Sequence, residues 1–269
     1  MWQRIKTAIV LVIIVGIAMF ASQTPILFAP LLAIGVIIAA HEWTKLMPKW
    51  RQPALFVLSV LALTVVSLLF KVTWLFWWAA SLAIWLMALF WVRVFPTTTN
   101  WYGKKLGLMG AVILTAAITA MFYLWQLSAW WLLYVFLLVW CADSGAYFVG
   151  RKLGRRKMAP NVSPNKSMEG LAGGIVTGLL VVVAISVFKL QLTGVPLIAF
   201  AALSVLTILA SVLGDLFESM LKRRAGVKDS GTILPGHGGI LDRIDSLLSA
   251  TPIFALGFWA LQYFGLIVV

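Results

Sequence analysis

The stretch Val195-Pro196-Leu197-Ile198-Ala199-Phe200-Ala201-Ala202-Leu203-Ser204-Val205-Leu206-Thr207-Ile208-Leu209-Ala210-Ser211-Val212-Leu213-Gly214 carries no charge and then meets Asp215. About 20 mostly apolar residues are what a helix needs to cross the hydrocarbon core of a bilayer. The run therefore reads as a membrane span with an ionisable group at its edge. Eight further runs share its character: 5–21, 25–40, 54–70, 73–92, 107–122, 126–142, 171–188 and 250–267. The chain reads as an all-α integral membrane protein of about nine transmembrane helices.

Composition agrees. Of 269 residues, 62% are hydrophobic and only 11% charged, with a mean hydropathy of +1.03. A soluble domain is roughly a quarter charged, and one core could not bury this much apolar surface. A soluble globular enzyme, a disordered chain and a secreted disulfide scaffold are excluded. The single cysteine, Cys141, forms no intramolecular disulfide and no cysteine metal cluster. The first two runs are short and flank Thr24-Pro25, which leaves open a tight hairpin that does not cross fully. Arg4 and Lys6 before an apolar run also suit a signal peptide, but no small-x-small cleavage site follows and the hydrophobic runs continue.

Nine spans place the basic residues unevenly. Arg4, Lys6, Lys45, Lys49, Arg51, Arg93, Lys104 and Lys105 share one side with Arg151, Lys152, Arg155, Arg156, Lys157, Lys166, Lys222, Arg223, Arg224, Lys228 and Arg243. Only Lys71 and Lys189 fall on the other. Because Lys and Arg stay cytoplasmic, the amino terminus is expected inside and the carboxyl terminus outside, in a bacterial-type inner (plasma) membrane. Trp77-Trp78 and Trp130-Trp131 lie near expected span ends, where interfacial anchoring accounts for them. Residues 1–125, spans one to five, read as a scaffold with a lipid or dimer contact. Residues 126–269 read as the catalytic membrane region, with cytoplasmic loops 143–170 and 215–249.

The acids are more telling than the bases, since topology scarcely depends on them. They are Glu42, Asp143, Glu169, Asp215, Glu218, Asp229, Asp242 and Asp245; all fall on the cytoplasmic side, and all but Glu42 lie in or beside those two loops. Asp143 and Asp215 each end an apolar helix, where an ionisable group is costly and usually faces a protein interior or a wet cavity. Asp215, Glu218, Ser219 and Lys222 share one helix face by their i, i+3, i+4, i+7 spacing, and Asp242 and Asp245 share another. Between them runs Lys228-Asp229-Ser230-Gly231, then Leu234-Pro235-Gly236-His237-Gly238-Gly239. Glycines let a ligand approach the backbone, and their N–H groups suit phosphate oxygens. Carboxylates with phosphates suit Mg²⁺. His237 could be a ligand, an acid/base or a hydrogen bonder, and the last is favoured in such company. In the sixth loop, Ser163, Lys166, Ser167 and Glu169 before a helix resemble an anion site, whereas Arg155, Arg156 and Lys157 are ascribed to topology or lipid head groups. The residues alone thus suggest a Mg²⁺-dependent membrane enzyme with a cytoplasm-facing site for a phosphorylated substrate. Nucleic acid is not an expected partner, because the positive charge is spread between spans.

The run from Ser219-Met220-Leu221-Lys222-Arg223 through Lys228-Asp229-Ser230-Gly231 to Leu234-Pro235-Gly236-His237-Gly238-Gly239-Ile240-Leu241-Asp242-Arg243-Ile244-Asp245 resembles the signature of the phosphatidate cytidylyltransferase (CDP-diacylglycerol synthase) family. Asp143 to Gly170 is also similar to that family, so motifs cover roughly residues 140–250. The resemblance implies that CTP and phosphatidic acid give CDP-diacylglycerol and pyrophosphate. It further implies a Mg²⁺ requirement (one or two divalent ions, with room for a second, different cation), an all-helical membrane fold and a homodimer. On that reading Asp215, Asp242 and Asp245 hold the metal, with Glu218 as an outer partner. Lys222, Arg223, Lys228 and Arg243 neutralise phosphates, while Ser219, Gly238 and Gly239 position them, near Asp229 and His237. Ser163, Lys166, Ser167 and Glu169 face CTP, with Asp143 nearby. The attacking phosphate monoester is already largely ionised, which is why the carboxylates are assigned to metal and not to proton transfer.

Polyprenol or phytol kinases are an alternative that the Ser219–Asp245 run disfavours, and the DGxxAR…GxxxDxxxD run of CDP-alcohol phosphotransferases is missing. A transporter would place polar residues at mid-span and in both halves; here they crowd one face and the second half.

Overall fold

The computed structural model describes every residue except 1, 48–49, 98–102, 235, 237 and 268–269. The described residues form nine α-helices: α1 (Trp2–Phe20), α2 (Phe28–Lys45), α3 (Pro53–Leu69), α4 (Trp74–Val94), α5 (Lys104–Leu127), α6 (Ala129–Leu153), α7 (Met168–Ile185), α8 (Gly194–Ala225) and α9 (Leu241–Tyr263). A small antiparallel hairpin, β1 (Lys157–Ala159) with β2 (Ser163–Ser167), sits between α6 and α7. Six helical segments, at 71–94, 104–127, 129–153, 168–190, 194–225 and 241–263, are long and apolar enough to cross a bilayer. The chain is a multi-pass membrane protein.

With no aqueous phase to drive apolar surfaces together, membrane helices associate through close packing and interhelical hydrogen bonds. Both occur here. On α5, the most enclosed of the six crossing helices, Thr119 Oγ1 receives Trp78 Nε1 from α4 at 3.2 Å, and Thr115 lies 3.3 Å from Thr64 of α3. Tyr134 of α6 bonds Ser204 of α8 at 2.6 Å. Small residues set the helix spacing: a side chain on Gly174 of α7 would meet the Ala142 carbonyl of α6 at 2.8 Å. Trp78 and Trp131 are core residues, not interfacial anchors. Neighbours on a helix point about 100° apart, so only one member of each pair faces outward, and Trp130 is the exposed member of its pair.

The helices outlast the apolar runs. α6 continues ten residues beyond Asp143 and α8 ten beyond Asp215, so these acids lie within helices and do not end them. At 1.5 Å per residue the 32-residue α8 is about 48 Å long, against a hydrocarbon core of roughly 30 Å. Its charged end therefore projects, and it stops at Gly226, whose φ of +72° suits the left-handed turn of a C-cap. Much of the expected loops 143–170 and 215–249 is accordingly ordered helix and hairpin. α9 packs on both α8 and α5, so the first and second halves of the chain share one interior.

Candidate active site

Gly214 makes the site. A Cβ there would come within 2.5 Å of the Asp245 carbonyl and would strike Ser249 Oγ, so α8 and α9 touch backbone to backbone at this crossing. Ser249 Oγ seals it with a 2.7 Å bond to the Ala210 carbonyl. Asp215 on one helix and Asp245 on the other thereby fall within electrostatic reach of each other, and Glu218 is within reach of Asp245.

A cleft of about 670 Å³ opens beside Asp215. Asp143, Ser163, Lys166 and Ser167 line it together. Lys166 Nζ lies 2.5 Å from Asp215 Oδ2, and Ser219 Oγ donates to Asp215 Oδ1 at 3.3 Å. Lys166 is aimed by β2, whose last residue, Ser167, caps α7 by accepting the Gly170 N–H at 3.1 Å.

Lys222 forms a second centre. It pairs with Glu218 one turn back and with Asp242 Oδ1 at 2.6 Å. Asp242 Oδ2 accepts the Ser230 N–H (2.9 Å), the Ser230 hydroxyl (2.9 Å) and the Gly239 N–H (2.8 Å). Both Asp242 oxygens are thus taken by protein donors, and the Gly239 N–H faces Asp242 and not open space. Between these contacts the chain doubles back, with the Leu234 N–H on the Gly238 carbonyl at 3.0 Å and positive φ at Gly236 and Gly238.

Other expected residues lie apart from the cleft. Glu169 accepts the Arg155 and Arg156 N–H groups at 2.9 and 3.1 Å and pairs with Arg156 Nε at 3.3 Å, so it closes the turn after α6. Arg223, Lys228, Asp229 and Arg243 are exposed; Arg223 reaches the Val162 carbonyl at 3.5 Å. His237 lies outside the described residues. The cleft also takes in charged and hydroxyl side chains to which the sequence gives no binding role, Tyr147, Arg151 and Lys157 among them. Tyr147 and Arg151 sit four and eight residues after Asp143 on α6 and bond to each other at 3.1 Å; their helical spacing was the available signal. Lys157, ascribed above to topology, borders the cleft as well.

Among the described residues no three His, Cys, Asp or Glu side chains form a ready cage for a metal. The donors still fit a hard cation. Mg²⁺ commonly takes one or two carboxylates and completes its shell with water and phosphate. Asp215 and Asp245 supply that number, and the adjacent buried Glu218 Oε1 has no hydrogen-bond partner.

Residues 2–261 match the model of the cytidylyltransferase family. The chain belongs to that family. It is 39% identical to a phosphatidate cytidylyltransferase of Haemophilus influenzae over 287 residues, covering 94% of this chain and 96% of the relative. It is 37% identical to one of Pseudomonas aeruginosa over 265 residues, covering 96% and 97%. A Bacillus subtilis phosphatidate cytidylyltransferase is 50% identical over 130 residues, 47% of this chain. As a member of the cytidylyltransferase family the chain is a nucleotidyltransferase. The match begins at residue 2, so the family likeness extends through the first half, where the motifs were silent.

Proposed function

We propose that the chain transfers the cytidylyl group of CTP to phosphatidic acid, releasing pyrophosphate and forming CDP-diacylglycerol. The observation that carries this reading is the cleft in which Lys166, Arg151 and Lys157 stand over Asp143 and Asp215. Cations over carboxylates are what a metal-bound nucleoside triphosphate requires, and the relatives' names supply the two substrates.

Two polyanions must meet for the lipid phosphate to attack the α-phosphorus of CTP in line with the departing pyrophosphate. Lys166 swings its charge from Asp215 to a CTP phosphate, which leaves Asp215 open to a metal. Arg151 and Lys157 at the rim neutralise the triphosphate tail. Lys222, clamped by Glu218 and Asp242, faces the lipid phosphate as a preorganised charge, the kind of group most effective where charge moves during reaction. Arg223, Lys228 and Arg243 draw anions toward the mouth. Asp215 and Asp245 would hold Mg²⁺, which supplies charge neutralisation on the phosphates and an in-line template. Asp242 acts through Lys222 and the 230–239 turn, since its own oxygens are occupied.

The proposed topology has nine crossings, an inside amino terminus and a cytoplasmic site in the inner membrane. It is supported by the distribution of Lys and Arg and by Lys189, which lies 4.4 Å over the Trp130 ring at the opposite ends of α7 and α6 from Lys166. The decisive experiment supplies purified protein with labelled CTP and phosphatidate, with and without Mg²⁺. Mg²⁺-dependent CDP-lipid is the expected product, and its absence would refute the assignment.

A further inference from the structure

Glu42 is the one acid outside the catalytic half, and it is completely buried. It projects from α2 into the 230–241 segment. Its Oε2 accepts the Leu241 N–H at 2.7 Å, and the Ser230 hydroxyl lies 3.5 Å away. Side chains on Gly231 or Gly239 would collide with its carboxylate, so two glycines of the signature segment are required for close contact with α2. Its Oε1 has no hydrogen-bond partner.

The contact falls at a sensitive place. Leu241 is the first residue of α9, and the preceding Ile240 offers no side-chain cap. The first N–H groups of a helix need acceptors, and here one comes from a helix almost 200 positions earlier in the chain. The next residue is Asp242, and one turn later comes Asp245. Ser230 lies between the two carboxylates, 2.9 Å from Asp242 Oδ2 and 3.5 Å from Glu42 Oε2. A hydroxyl has one proton to give, and the shorter contact receives it, so Glu42 holds α9 chiefly through Leu241.

From this geometry we infer that Glu42 is a positioning residue for cytidylyl transfer, fixing the start of α9 and hence Asp242 and Asp245 from the amino-terminal half. The inference rests on the proposed function above. Glu42 does not line the cleft that holds Lys166, so it governs turnover and not CTP capture. A shift of about 1 Å in a catalytic group can cost on the order of 100-fold in rate.

The test compares full-length wild type with Glu42→Ala, Glu42→Asp and Glu42→Gln in the same micelles, with size-exclusion profiles and thermal midpoints to report folding. Glu42→Ala removes the acceptor and Glu42→Asp withdraws it by one methylene. Both should lower kcat by roughly tenfold or more while KM for CTP stays within about twofold. Glu42→Gln keeps an acceptor for Leu241 and should recover kcat to within about threefold. The inference is overturned if folded Glu42→Ala or Glu42→Asp keeps wild-type kcat. It is equally overturned if the loss appears in KM for CTP, or if Glu42→Gln fails to recover turnover. Aggregation of both the Ala and Asp variants beside a fully active Gln variant would assign Glu42 to folding and also overturn it. Failure of wild type to form CDP-lipid would instead remove the proposed function and is read separately.

Discussion

Lys166 Nζ stands 2.5 Å from Asp215 Oδ2, joining strand β2 to helix α8 at the cleft. Each side chain is about a quarter to a third exposed, so the pair is wet enough to part. On the proposed function, a triphosphate would take up Lys166 and the freed Asp215 would be available to hold a metal.

Lys166→Met should therefore weaken CTP capture before anything else. We expect KM for CTP to rise by about tenfold or more, as one charge-assisted contact of roughly 1.5–3 kcal/mol is lost. Initial rates across a CTP series at fixed phosphatidate measure it. An unchanged KM would place Lys166 outside the nucleotide site.

Asp242→Asn and Asp245→Asn should behave differently. Asp242 anchors Lys222, Ser230 and Gly239 together, and breaking a buried charge pair typically costs about 3–5 kcal/mol. Its variant should lose turnover and also show a lower thermal midpoint. Among the described residues, Asp245 Oδ1 accepts just the adjacent Ser246 N–H, at 2.7 Å. Its variant should lose about 100-fold or more in kcat with the midpoint preserved. Activity and melting, measured on both variants, separate a latch from a ligand.

Gly214→Ala adds one methyl group and no charge, yet it meets the Asp245 carbonyl and Ser249 Oγ at the α8–α9 crossing. The helices must separate to admit it, carrying Asp245 away from Asp215. We expect lower stability of about 1–3 kcal/mol, the usual cost of overpacking, and a fall in kcat larger than that of Gly16→Ala, where the added Cβ meets nothing within 4 Å.

A topology reporter fused after the last residue should read out on the non-cytoplasmic side, because the proposed topology has an odd number of crossings. A cytoplasmic signal there would mean an even number of crossings, with α1 the first single span to suspect, since Lys6–Phe20 is a short apolar helix.

By itself, the sequence determined that this is a multi-pass helical membrane protein, and it pointed to Asp143, Lys166, Asp215, Lys222, Asp242 and Asp245 as candidates for its site. Apolar runs near membrane length are legible without partners, and acids next to them are costly enough to mark a site. Period alone places Glu218 and Lys222 on one face of α8. What only the tertiary structure decided is which donors are already spent. Asp242 looks as open as Asp245 in the sequence, but its oxygens hold Lys222, Ser230 and Gly239. Glu169 looks like an anion-site acid and instead ties down the Arg155 and Arg156 backbone. Glu42, isolated in a helix otherwise rich in apolar residues, becomes the acceptor for Leu241. Hydrogen bonds are short-ranged and directional, so a carboxylate's role depends on neighbours that distant segments bring within 3 Å, and no spacing along the chain records that distance.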